Sequence, residues 1–287
     1  MSVALVTDSN AQLPPDLALR YSTIVVPMIV TIDGVDHQEG IDIDADSFYA
    51  RFTKGTPDVR TSQPSPGSFA AAYRRAERNG ATAVLSIHIG SAMSGTINSA
   101  RLGASMVDVP VTIVDTASAS FAVSCCVWEA GEALRRGATI DEAAARAEAT
   151  ARVVDSVFIV GAGDLARRGG RFAGTLGAAP DEMLEGQAIS VIGFSNNAMR
   201  VVGTARSADE AVAIMAQTVV ASPAARRGPL RVGLSIADAG AAPLYEGLAT
   251  LLSAASDVAE LVRYRVGPSV GAHTGPGTAG AVWYPIS

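Results

Sequence analysis

Cysteine, histidine and charge are all scarce in this sequence, and long apolar runs are missing altogether. Its two cysteines, Cys125 and Cys126, sit side by side in an apolar, helix-like segment. Neighbouring cysteines rarely pair with each other and there is no third, so a disulfide framework is excluded and a reducing compartment is expected. Both read as small buried hydrophobes. The three histidines, His37, His88 and His273, are scattered without metal-ligand spacing. His37 reads as a surface-loop residue and His88 as a strand residue. Asp42, Asp44 and Asp46 alternate but lack the glycine and distal glutamate of a calcium loop, so they read as the solvated opening of a helix. No metal and no cofactor are expected.

Charged residues make up only 17% of the chain, with a net charge of −6. Arg167-Arg168 and Arg226-Arg227 are pairs rather than tracts, and no basic stripe is interleaved with aromatics, which argues against nucleic acid as a partner. The apolar stretch from Ile24 to Val30 is interrupted by Pro27 and falls well short of the ~20 residues that cross a bilayer. Ser2 to Asp8 reads as a first β-strand with no basic region or cleavage site, so a cytoplasmic protein is expected.

What is present is apolar bulk, 48% of 287 residues, enough for a substantial core. Short β-branched runs alternate with Ala-rich helical stretches, the pattern of an α/β protein. The first half predicts strands near 3–6, 24–32, 83–89 and 111–114, with helices near 68–78 and 96–106. Ser65-Pro66 supplies a cap and a first-turn proline, Asn79-Gly80 a stop, and Thr139 with Glu142 a capping box opening a helix to about 153. After that the texture changes. A strand near 157–160 precedes a Gly-rich stretch, and the runs 189–194 and 199–204 flank Ser195-Asn196-Asn197 as a hairpin. Ser207 and Glu210 cap a further helix. Strands near 230–236 and 261–266 surround a helix near 244–253, and 280–284 forms a last strand. A hairpin between helices predicts two α/β domains, residues 1–153 and 154–287, the second of mixed type.

Three small polar clusters carry the chemistry. Thr61-Ser62-Gln63-Pro64 lies between an extended segment and a helix start, where hydroxyls and free amides can donate to an anion. A turn with capping hydroxyls would look the same. Ser94-Gly95-Thr96 opens a helix after a strand. Gly95 lets backbone approach a ligand, and the helix start favours a carboxylate or phosphate; a plain N-cap is the alternative. His273 lies in a Gly/Pro-rich run, 267–277, that is expected to form no regular element, and its imidazole can donate to an anion or act as a base.

Two other readings compete. Gly161-Ala162-Gly163-Asp164-Leu165-Ala166 matches a dinucleotide-binding turn, with Glu182 near the ribose offset. Gly169-Gly170 would cut its helix short, so a nucleotide site is rejected. A serine-type esterase or thioesterase would use Ser94 as nucleophile, His273 as base and Asp8 as orienter. However, Gly90 to Gly95 is not a G-x-S-x-G elbow.

Taken in order, Val6-Thr7-Asp8-Ser9, Thr61 to Pro66, Ser86-Ile87-His88-Ile89, Ser94-Gly95-Thr96 with Ser99-Ala100, Val114-Asp115-Thr116, Arg168-Gly169-Gly170-Arg171 and 267–277 resemble the DegV family, the fatty-acid-binding proteins of the FakB type. The likeness spans nearly the whole chain. It implies two α/β domains with a ligand tunnel between them that takes the acyl chain of a long-chain fatty acid. It also implies a carboxylate bound at Thr61 and Ser94, with His273 close by; Ser62, Gly95 and Thr96 complete the expected ligand-binding set. The implied partner is a separate ATP-dependent fatty acid kinase, which phosphorylates the presented carboxyl group to an acyl phosphate, with Arg171 on the docking face. No catalytic residue and no turnover by this chain alone are expected, and membrane contact at most transiently.

Overall fold

The computed structural model describes residues 2–168, 170, 188–195 and 198–286. The chain divides into two compact units, Met1–Ile43 with Asp58–Arg152 and Asp44–Pro57 with Val153–Ser287. Residues 44–57, which a cut at 153 would leave with the first unit, cluster with the second.

The first unit carries β1 (Val3–Asp8), β2 (Ile24–Val26), β3 (Ile29–Ile32), β4 (Val35–Gln38), β5 (Val59–Ser62), β6 (Ala83–His88) and β7 (Val111–Asp115). Four of these form a parallel sheet in the order β2-β1-β6-β7. All six residues of β6 are buried, as expected of an inner strand covered on both faces. Helices Pro66–Arg78 and Thr96–Ala104 pack on this sheet through Phe69, Tyr73, Ala76 and Ala100 against Val6 and Val84. Helices Phe121–Arg135 and Ile140–Ala151 pack on each other and against the sheet.

The expected single strand over 24–32 is instead two. Pro27 has no N–H to give to a ladder, and the chain changes sheets there. Ile24–Val26 stays parallel to β1, while Ile29–Ile32 becomes the centre of an antiparallel sheet, β4-β3-β5. The expected caps form. Ser65 accepts from Ser68 N–H ahead of Pro66, and Thr139 and Glu142 cap each other reciprocally.

The second unit holds β8 (Asp155–Ile159), β9 (Ile189–Ser195), β10 (Ala198–Ala205), β11 (Leu230–Ile236), β12 (Val258–Arg265) and β13 (Ala279–Pro285). They form one mixed sheet in the order β10-β9-β8-β13-β11-β12. β9 and β10 pair as the expected hairpin, with Ser195 opposite Ala198. Helices Ala208–Val220 and Ala242–Ser253 pack on the sheet around Met215, Leu248 and Trp283. Helix Ala45–Ala50 is capped by Asp44 and Ser47, as the solvated aspartate run suggests. It is fixed to this unit by Arg265, which donates to Asp46 at 2.7 Å, and by Tyr49, which stands against Gly271.

One expectation in this unit is corrected. The stretch 267–277 is not wholly irregular: Pro268–Thr274 is a helix. Proline at the first turn loses no intrahelical bond there, and Gly275, at φ 76°, ends the helix in the left-handed region. Among the described residues, no helix is long and apolar enough to cross a membrane.

Candidate functional site

The chain leaves β1 toward β2 on one side and later returns as β6 on the other. The carboxyl ends of β1 and β6 therefore flank a topological switch point, the crevice where open α/β sheets bind ligands. Asp8 and His88 are the last residues of these strands; Ser9 opens the short 3-10 helix Ser9–Ala11 after the first, and Ser94 lies in the loop after the second.

A buried hydrogen-bonded chain fixes this edge. His88 Nδ1 lies 2.9 Å from Asp8 Oδ2, Ser86 Oγ 2.6 Å from His88 Nε2, and Tyr73 OH 3.0 Å from Ser86 Oγ. Burial pushes the Tyr73 hydroxyl up to about 12, against the opposing effect of Ser86, so it stays protonated at neutral pH. A consistent set of donors then runs from Tyr73 to Ser86, to the imidazole and to the carboxylate. Asp8 also accepts the backbone N–H groups of Asn10 and Ile89, each at 3.1 Å. The expected orienter of an esterase triad is thus committed to His88 and to two loop amides. The assignment of His37 to a surface loop is also corrected: it lies on β4, partly buried.

The two hydroxyl clusters meet in the first unit. Thr61 and Ser62 lie on β5, opposite Val30 and Ile29 of β3. Gln63 follows, and its side chain lies against Gly95, where a Cβ would come within 2.9 Å of the amide nitrogen. From the other side, Thr96 Oγ1 reaches Met28 Sδ, just ahead of β3, at 3.8 Å. Ser94 Oγ lies 2.8 Å from Thr96 Oγ1 and accepts Thr96 N–H at 3.3 Å. Thr96 is buried, Thr61, Ser94 and Gly95 are half-buried and Ser62 is exposed. These five residues bring hydroxyls and a helix start but no formal charge, a set suited to accepting one anionic oxygen pair.

Sequence reasoning missed the support beneath them. Ser9 donates to the carboxylate of buried Glu39 and accepts Met28 N–H at 2.9 Å, while Glu39 N–H donates to Met28 O at 3.0 Å. The only sequence sign was Ser9 directly after Asp8 at the end of a strand. His273 belongs to the second unit, partly buried in the last turn of Pro268–Thr274. The dinucleotide-like Gly161 is explained by packing: a Cβ there would collide with the carbonyl of Pro276, and its N–H donates to Thr278 Oγ1 at 3.1 Å. Arg171 and Glu182 lie outside the described residues. Among the described residues, no cluster of three or more His, Cys, Asp or Glu side chains could hold a metal ion.

The chain is similar to known proteins along its whole length. The family model described as "Uncharacterised protein, DegV family" matches residues 2–286. A DegV domain-containing protein of Streptomyces coelicolor is 34% identical over 98% of this chain and 97% of its own. Among solved structures, a DegV family protein from Thermus thermophilus, described by its fatty acid binding, superposes with a TM-score of 0.85 at 30% identity, covering 100% of both chains. DegV of Bacillus subtilis, described as a fatty acid binding protein, gives 0.86 at 25% identity, again over 100% of both. By sequence, by fold and by the motifs at its sheet edge, this chain belongs to the DegV family.

Proposed function

We propose that this chain binds a long-chain fatty acid and holds its carboxylate with the hydroxyls of Thr61, Ser62 and Ser94 and the backbone amides of Gly95 and Thr96. His273 is proposed to complete that set. The observation that carries the reading is the meeting of Ser94-Gly95-Thr96 with Thr61-Ser62-Gln63 beside the switch point of the parallel sheet. The fatty acid binding described for the Thermus and Bacillus relatives supports it. A carboxylate withdrawn from water takes up a proton unless several donors meet it, which explains hydroxyls and amides in series. The affinity itself comes from the acyl chain, at about 0.8 kcal/mol per buried methylene.

The finer proposal is that the protein works in the cytoplasm as a carrier. It has no turnover alone, touches membranes at most transiently, and presents the carboxyl group to a separate ATP-dependent kinase that forms an acyl phosphate. Arg171 is proposed as part of the docking face, and Arg171→Ala should lower acyl phosphate formation without changing fatty acid binding. The central test is organic extraction of the purified protein followed by mass spectrometry. Stoichiometric fatty acid is expected, and no hydrolysis of acyl nitrophenyl esters. Protein that comes out lipid-free and also ignores added palmitate and oleate would overturn the reading.

A further inference from the structure

Thr96 is wholly buried at the first position of its helix, with its hydroxyl between two partners. Oγ1 lies 2.8 Å from Ser94 Oγ and 3.8 Å from Met28 Sδ. A thioether has no proton to give, so a hydrogen bond on that contact can be donated by Thr96 alone. A hydroxyl carries one proton, so the 2.8 Å contact has two arrangements: Ser94 donates when the Thr96 proton is on Met28, and Thr96 donates when it is not. In the first arrangement the Ser94 proton is committed inside the protein, although a bound carboxylate would need it; in the second it is free to be given.

Met28 is held in place from its main chain. Its N–H donates to Ser9 Oγ at 2.9 Å and its carbonyl accepts Glu39 N–H at 3.0 Å. Ser9 in turn donates to the Glu39 carboxylate. The sulfur, on a buried side chain, is a weak acceptor, which a hydroxyl leaves at little cost.

We propose that Thr96 is a positioning residue for anion binding: its hydroxyl rests on the Met28 thioether and turns to Ser94 Oγ when Ser94 gives its proton to a fatty-acid carboxylate. The inference rests on the head-group reading above and deepens it. After the turn, Thr96 donates to Ser94 and Ser94 donates to the ligand, so the two hydroxyls act in series and polarise each other. An oxygen in place of the sulfur would hold the Thr96 proton back. The Thr96 hydroxyl thus acts through Ser94, without itself touching the ligand.

The test compares palmitate with hexadecanol, which has the same chain length but no carboxylate, by titration calorimetry on delipidated full-length protein. Thr96→Val should weaken palmitate about tenfold, the loss of one hydrogen bond to a charged chain, and change hexadecanol much less. Thr96→Ser should restore palmitate binding. In a Ser94→Ala background, Thr96→Val should cost nothing further. Met28→Leu removes the resting acceptor and should bind palmitate at least as tightly as the parent, which keeps the proposal testable even if Thr96→Val does not fold. Equal losses on both ligands, additivity with Ser94→Ala, or weakened palmitate binding in Met28→Leu would each overturn the positioning role. If the parent protein binds palmitate and Thr96→Val binds it equally well, only this role falls; if the parent binds neither ligand, the head-group reading falls as well.

Discussion

Cys126 illustrates how a residue's surroundings decide its chemistry. It lies fully buried in helix Phe121–Arg135, with its thiol donating to Ala122 O at 3.3 Å. Burial pushes that thiol up to about 12, so at neutral pH the reactive thiolate is essentially absent. Cys125 is equally buried. The expected outcome is no reaction of the folded protein with a disulfide reagent at pH 8, and two titratable thiols per chain once it is unfolded in guanidinium. A fast-reacting thiol in the folded protein would show that this helix is not packed as described. The adjacency of the two cysteines in an apolar run was enough to anticipate this inertness. By contrast, nothing near Met28 or Glu39 in the sequence announces their part beneath the proposed head-group site, because it depends on contacts between residues far apart in the chain.

At the scale of elements, the local signals were legible where the chemistry is local. Ser65-Pro66, Thr139 with Glu142, and Ser207 with Glu210 each mark a helix start, because a cap is satisfied within four residues. Pro268 and Gly275 are the same kind of signal, but the density of glycine between and around them hid a helix only seven residues long. Element pairing carries a prediction of its own. Tyr21, just past helix Pro15–Arg20, donates to Glu132 at 2.6 Å and packs its ring on Gly131. That hydrogen bond, joined by Arg135 and Arg136, holds the Glu132 carboxyl below its ordinary range. A depressed carboxylate contributes stability that is present above its ordinary range and lost as the pH falls through the depressed value. Tyr21→Phe should therefore cost about 1–2 kcal/mol in urea unfolding at pH 7. The gap to the parent protein should close as Glu132 protonates in acid, and a gap unchanged down to pH 3 would assign the loss to packing instead.

For the whole molecule, alternating strands and helices revealed an α/β chain with a textural change near its middle. They could not show that residues 44–57 cluster with the second unit, since the ion pair that ties Asp46 to Arg265 spans 219 residues. They also could not show which sheet edge gathers the hydroxyls, because that follows from strand order and not from any one strand. The same separation of roles shapes the expected energetics of binding. If hydroxyls and amides only moor the charged end, the acyl chain should set the affinity at about 0.8 kcal/mol per methylene. Shortening the ligand from sixteen to twelve carbons then removes about 3 kcal/mol, a loss of roughly two hundredfold. Ligand that binds only the folded state raises its stability with the logarithm of occupancy. Delipidated protein should therefore melt progressively higher with dodecanoate, myristate and palmitate at equal free concentration. Thr61→Ala with Ser94→Ala should lower all three shifts by a similar amount while preserving their spacing, since it removes the mooring and not the oil. Equal shifts across the three chain lengths would place the affinity in the head group and overturn this division of labour.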